Sequence, residues 1–439
     1  MRDAPSTDSA RGRAGRQSTS SVRGRPGIPR PVWLLGWTSL LTDAATEVIY
    51  PLLPVYLSRV LGAGAMSLGI IEGVAEGINS ALKIVSGWWS DRRATRRPLV
   101  IAGYALSGAA RPLIAVAGSW VHVLVVRAID RTGKGLRGAP RDAMLARFAD
   151  ASSRGRVFGF HRAMDHTGAV VGPLLATAFL YFWPGEYRTL FALTAVPGAL
   201  AVAMLFLVDE REAAVPRPGS DVLPGDRRPP RPSVAASTSA GALPGRLWAV
   251  LATILLFSLG NSADAFLLLR LTDVFGSATY IPLLWALLHL VKASLSTWGG
   301  ALSDRLGRKQ VIVLGWAIYA AVYLGFATAT SGTTFVTWFL LYGVFFALTE
   351  GAEKALVADL APAQRHGTAF GAYNAALGVG ALSASVLFGV LYERLGPATA
   401  FSTGAAMAAA AAVVLLLVPT GAIDSVKIGG SHDTNPGHQ

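Results

Sequence analysis

The stretch Gly300-Ala-Leu-Ser-Asp304-Arg305-Leu-Gly307-Arg308-Lys309 sets an acid and then a basic run between two apolar segments. A shorter relative, Gly87-Trp-Trp-Ser-Asp91-Arg92, lies 213 positions earlier. Two further pairs keep the same order: Gly138-Ala-Pro-Arg141 with Gly351-Ala-Glu-Lys354 at an offset of 213, and Phe158-Gly159 with Phe370-Gly371 at 212. Three matches at nearly one offset mark a duplicated chain. Parallel halves of this kind enclose a cleft near the bilayer midplane that can open to either side.

The flanking sequence is too apolar for a soluble core. Of 439 residues 52% are hydrophobic and 15% charged, with a mean hydropathy of +0.46. Typical soluble domains carry roughly a quarter charged residues. About twelve apolar segments emerge, each near the roughly 20 residues that cross a bilayer. Their approximate spans are 31–58, 65–90, 97–118, 119–145, 155–183, 188–208, 246–274, 279–302, 309–330, 332–358, 366–394 and 396–420, with charge interrupting the fourth, fifth, tenth and eleventh. The fold class expected is an all-α membrane protein of 12 transmembrane helices in two six-helix pseudo-repeat halves.

The net charge of +13 would suggest nucleic acid in a soluble protein. Here the basic residues cluster between apolar segments, as cytoplasmic loops do, and no nucleic-acid partner is expected. Arg92, Arg93, Arg96 and Arg97 lie between segments two and three, Arg147, Arg154 and Arg156 between four and five, and Arg305, Arg308 and Lys309 between eight and nine. The other side has little beyond Arg59, Arg188 and Arg394. Both termini are therefore expected in the cytoplasm. Residues 1–30 read as a disordered basic cytoplasmic tail, 31–208 as the first half, 209–245 as a Pro-rich cytoplasmic linker, 246–420 as the second half and 421–439 as a polar C-terminal tail.

The loop at Gly300, Asp304, Arg305, Gly307 and Arg308 resembles the signature G-x-x-x-D-R-x-G-R-R/K of the major facilitator superfamily of secondary transporters, here of bacterial type. The copy at Gly87, Asp91 and Arg92 is degraded, with Ala94 at the glycine position and one extra residue before Arg96. The resemblance implies alternating access, with these loops as cytoplasmic latches. Gly168-Ala-Val-Val-Gly172-Pro173 resembles the G-x-x-x-G-P element that the superfamily associates with antiporters. Its small-xxx-small spacing suits a tight helix contact that also shapes the interface between the halves. Arg127, followed by Gly133 and Gly135, is similar to the family's intramembrane arginine and glycine run.

First helices line the cleft in this family, and segment one carries Asp43 and Glu47 on one helix face. At 1.5 Å per residue from about residue 31, Asp43 lies roughly 18 Å deep. An acid at that depth can carry a proton, or serve as fixed partner of Arg127 or Arg131. Segments one, four, seven and ten are expected to line the cleft, with Asp43, Arg127, Asp130 and Asp264 facing it and Arg131 beside them. Glu72, Glu76 and Lys83, the patch His161, Arg162, Asp165 and His166, Arg270, the pair His289 and Lys292, and Glu350 with Glu353 read as helix-bridging groups.

There is no cysteine, which excludes disulfides and thiolate metal sites, and the histidines show no metal-ligand spacing. No G-x-x-x-x-G-K-[ST] loop supports ATP use, and no nucleophile–base constellation suggests an enzyme. No cofactor is expected. The function expected is a proton-coupled efflux antiporter for a small organic compound or drug. It would act as a monomer in the bacterial cytoplasmic (inner) membrane, its partners being substrate, protons and lipid. The alternatives are a symporter or exchanger of a small organic anion, and a non-transporting membrane sensor.

Overall fold

A backbone in lipid must satisfy its own hydrogen bonds, and all regular structure among the described residues is helical. The computed structural model describes residues 27–63, 65–210, 242–262, 264, 266–267, 270 and 281–419. Most of the tail, linker and C-terminal tail expected from the sequence, and much of segment seven beyond residue 262, lie outside the described residues.

Helix α1 spans Arg30–Ile49 and continues through tighter and wider turns to Val60, where Pro51 and Pro54 interrupt the regular ladder. Next come α2 (Ala65–Asp91), α3 (Arg97–Ala110, ending in a 3₁₀ turn Arg111–Val116), α4 (Trp120–Phe148) and α5 (Arg154–Phe182). The sixth, α6, is a pair of pieces, Tyr187–Leu193 and Ala195–Phe206. The second half holds α7 (Gly245–Gly260), α8 (Ile281–Leu306), α9 (Arg308–Thr328), α10 (Gly332–Leu360), α11 (His366–Leu395) and α12 (Pro397–Leu417). The interrupted fourth, fifth, tenth and eleventh segments are continuous helices. Ser119 and Ser331 cap α4 and α10 by accepting from the backbone N–H of His122 and Thr334.

Only one residue separates α8 from α9. That residue is Gly307, at φ +102°, a conformation open to glycine alone. In the first half five residues separate Asp91 from Arg97, so the chain turns without a glycine, and Ala94 is tolerated.

Six of the described helical stretches are long and apolar enough to cross a membrane by composition: 97–116, 187–206, 308–328, 332–360, 363–395 and 397–417. α4 carries the most charge, with eight charged residues from Arg127 to Arg147. The second half is filled by aromatic rings, with Phe257 stacked on Trp316 at 4.6 Å and Tyr319 on Tyr323 at 4.1 Å. Between α3 and α4 the first half packs glycine to glycine, Gly103 against Gly133, and buries charge instead.

The halves meet along two pseudo-symmetric helix pairs. α5 lies on α8, where a Cβ on Gly155 or Gly159 would strike the backbone of Gly300 or Ser296. α2 lies on α11, where Gly87 meets Gly367 and Gly371 in the same way. These close contacts lie toward the end of the molecule that carries the 91–97 and 304–308 loops, called here the basic end.

Candidate functional site

At the basic end each loop acid reaches across to the other half. Asp304 accepts hydrogen bonds from the backbone N–H groups of Gly155 (2.9 Å) and Arg156 (2.8 Å), the first turn of α5. Asp91 accepts from Gly367 N–H (2.8 Å), Thr368 N–H (2.6 Å) and the Thr368 hydroxyl (2.7 Å), the first turn of α11. A carboxylate there satisfies orphan N–H groups and the positive end of the helix dipole together.

The basic residues divide the labour. Arg308 grips Asp304 and also Asp359 (3.1 Å), and Arg96 grips Asp91 (3.1 Å). Arg305 is exposed, and Arg92 lies over the Trp88 ring at 3.3 Å. The next basic residues close each half upon itself: Arg97 donates to Leu205 O (3.1 Å) and Lys309 to Leu416 O (2.8 Å), at the end of each half's last helix. Glu210 takes Arg96 N–H (2.9 Å) and Arg147 (3.1 Å); it was missed in the sequence because it borders the linker.

A second seal lies deeper. Lys354 Nζ of α10 donates to Asp142 Oδ2 of α4 at 2.6 Å, and Arg141 contacts Asp142 Oδ1 at 3.1 Å. Arg141 and Lys354 are the repeat-related cations, so the two equivalent residues converge on one carboxylate. Asp142 has no acidic counterpart; Ala355 stands there. Farther in, Glu350 of α10 meets His166 (3.0 Å) and Arg162 (3.7 Å) of α5, and Arg162 also binds Asp165 (3.1 Å).

Asp130 sits inside the first half rather than on a cleft wall. It is 2% exposed and held by Arg111 at 3.0 Å, with Arg127 at 3.7 Å and Arg131 at 4.0 Å. Arg127 reaches Glu72 at 2.6 Å. The cations considered as partners for Asp43 are thus turned toward Asp130 and Glu72. Asp264 accepts from the Tyr342 hydroxyl at 2.8 Å. Glu353 accepts from Trp316 Nε1 (3.1 Å) and the Tyr373 hydroxyl (3.0 Å).

Asp43 and Glu47 differ from all of these. Both are half-buried, and neither has a hydrogen bond or ion pair among the described residues. The charges acting on Asp43 are Asp165, Lys134, Arg137 and Arg141, and those on Glu47 are Asp43, Lys134, Arg131 and Arg127. They belong to α1, α4 and α5, so both acids face the interior.

The Gly168–Gly172 element lies behind this pair. A Cβ on Gly168 would meet Leu40 O and stand 3.1 Å from Asp43 Cβ; one on Gly172 would meet Ala44 O at 2.5 Å and Glu47 Cβ at 2.9 Å. The element packs α5 on α1 within one half. The interface between halves is shaped instead by Gly155 and Gly159, earlier on α5, while Pro173 continues the same helix.

Comparison with known proteins agrees with this architecture. The chain is 31% identical over 397 residues to an uncharacterised MFS-type transporter of Methanocaldococcus jannaschii, covering 89% of this chain and 95% of that one. Over 150 residues it is 29% identical to the multidrug resistance protein MdtH of Aeromonas hydrophila, covering 34% of this chain and 38% of that protein. Its fold matches the crystal structure of the human organic anion transporter MFSD10 with a TM-score of 0.70 at 19% identity, over 89% of this chain and 100% of the other. The family profile described as Major Facilitator Superfamily matches residues 35–295 and 265–434. With the duplicated halves, the paired loops and this coverage, the chain belongs to the Major Facilitator Superfamily of membrane transporters.

Proposed function

We propose that the chain is a proton-coupled antiporter that exports a small organic compound by alternating access. The observation that carries this reading is the pair Asp43 and Glu47. Glu72, Glu76, Asp130, Asp142, Asp165, Asp264, Glu350 and Glu353 each accept a hydrogen bond or ion pair, whereas these two acids have none among the described residues. A carboxylate kept at membrane depth without a partner is costly, and protonation removes that cost. Such a group is suited to pick up a proton and give it back. The likeness to a multidrug resistance protein over a third of the chain supports export.

In this reading the basic end faces the cytoplasm, as the positive-inside rule favours, with both termini on that side of a bacterial inner membrane. The sealed basic end then corresponds to an outward-facing state, and the loop contacts of Asp91 and Asp304 are its latch. The protein works as a monomer of two halves, its partners being substrate, protons and lipid, with no cofactor.

A second reading, exchange or symport of a small organic anion, is favoured by two lysines. Lys134 and Lys292 have no carboxylate within ion-pair distance among the described residues, and Lys292 Nζ lies 3.5 Å from the Phe346 ring centroid. The test is a transport screen in proteoliposomes under an imposed pH gradient, with pools of organic cations, neutral drugs and organic anions. Accumulation of cations or neutral compounds supports the antiporter; accumulation of anions alone replaces it with the second reading.

A further inference from the structure

Asp165 on α5 carries a contradiction that the proposed mechanism does not use. Its Oδ2 is occupied by Arg162 Nη1 at 3.1 Å, with His161 Nδ1 at 3.6 Å. Its Oδ1 is buried and has no hydrogen-bond partner. A buried carboxylate oxygen without a donor is rare in a folded protein and asks for an explanation.

The register of α1 against α5 supplies one. The Ser39 hydroxyl of α1 donates to the Asp165 carboxylate, leaving Oδ1 as its one oxygen without a partner, and Asp43 follows Ser39 one turn later on the same face. Gly168 follows Asp165 by nearly one turn and sits under Asp43, its missing Cβ letting the α1 backbone come into contact. The two acids therefore occupy adjoining positions in one glycine-lined seam. Glu47, a turn further on, faces Gly172, where α5 offers no acid.

We propose that Asp43 and Asp165 form a single proton-binding site, with one proton held between the two carboxyl groups. The proton comes from water as a hydronium or bulk proton and returns to water; no other bond changes. Bound, it gives Asp165 Oδ1 the donor it lacks. Two adjoining carboxylates do not both ionise readily, and such a pair titrates as a unit. The other charges facing the pair are Lys134, Arg137 and Arg141 from α4, His161 and Arg162 from α5, and Glu47 on α1 itself.

The pair is also wired to the contact between halves. Arg162 lies between Asp165 (3.1 Å) and Glu350 of the opposite half (3.7 Å). With a proton on the pair, Arg162 is shared with Glu350 and the halves stay joined. When the proton leaves, the added charge draws Arg162 toward Asp165 and weakens the hold on Glu350. Protonation is thereby coupled to one of the two contacts that Glu350 makes across the halves, the other being His166 at 3.0 Å.

This inference rests on the reading of α1 acids as proton carriers, and its test is independent of transport. Infrared pH titration of the purified protein in lipid nanodiscs, without substrate or gradient, follows the protonated-carboxyl band. The wild type is expected to show a band that titrates as one proton. Asp165→Asn should remove it at the same pH or move its midpoint by at least tenfold in proton activity, while Glu186→Gln, at the far end of the first half, retains it. If Asp165→Asn does not fold, Asp165→Glu keeps the charge and alters its reach, and should move the same midpoint. An unmoved midpoint in a folded Asp165 variant overturns the pairing. A shared proton without pH-driven transport would instead sink the antiporter reading and leave the pair standing.

Discussion

Lys354 and Asp142 join the two halves through a 2.6 Å ion pair, with 2% and 1% of their surfaces exposed. Removing one partner of a buried pair strands the other, at about 3–5 kcal/mol. Arg141 stays on Asp142, so a smaller cost of about 2 kcal/mol is expected for Lys354→Met, roughly thirtyfold in the closed population. The chain has no cysteine, so Ser80→Cys gives one reporter beside Gly378 of the other half. Its alkylation should quicken by that order in Lys354→Met. An unchanged rate would mean the pair does not hold the halves together.

The loop acids act on backbone groups, which predicts a graded response. Asn at position 304 can still accept one N–H bond but loses the charge that faces Arg308 and the dipole of α5. Asp304→Asn should slow transport about tenfold, a loss of about 1.4 kcal/mol of closed-state stability. Membrane insertion should be intact, and Asp91→Asn should act in the same direction through α11. Wild-type rates in both inserted variants would show that the loops serve topology alone.

Charges that hold the first half together should separate from those that work in the cleft. Asp130 is enclosed by Arg111, Arg127 and Arg131, so Asp130→Asn leaves buried cations poorly matched. A loss of about 3 kcal/mol is expected, visible as a lower unfolding temperature and yield. Asp43→Asn removes a carboxylate that has no ion pair among the described residues, and its amide can donate to Asp165 in place of the shared proton, so the unfolding temperature should be unchanged or raised. Equal destabilisation by both would contradict the division.

The Gly168 seam is a packing element of one half. Gly168→Ala places a methyl group against Leu40 O and Asp43, costing about 1–3 kcal/mol of stability. The alkylation rate of the Ser80→Cys reporter should not change, because the seam does not cross between halves. A variant of normal stability with altered access at the basic end would reverse that assignment.

Much of the fold was legible because duplication and charge placement are written along the chain. The acid-then-basic loops announced their own turns, and Gly307 could be read as the residue between two helices. Partner choice was less legible, because it depends on which helices touch. Arg127 and Arg131 lie within 90 residues of Asp43, yet the close Gly103–Gly133 packing brings Arg111 and Asp130 together instead. Asp142 gave no signal in the sequence, since the repeat it borders carries Ala355 at its own position. Gly168 and Gly172 had the spacing of a helix contact, but spacing does not name the helix on the other side.

The central claim is that the α1 acids carry the protons that drive transport. The most direct measurement uses proteoliposomes with a trapped pH-sensitive dye, challenged with the compound pools one at a time. Wild-type protein should move protons in response to at least one compound, and Asp43→Asn with Glu47→Gln should abolish that movement while passive counterflow of the same compound persists. Proton movement of wild-type size in the double variant would contradict the account and send the search for the carrier to Glu72, Glu76 or Asp264.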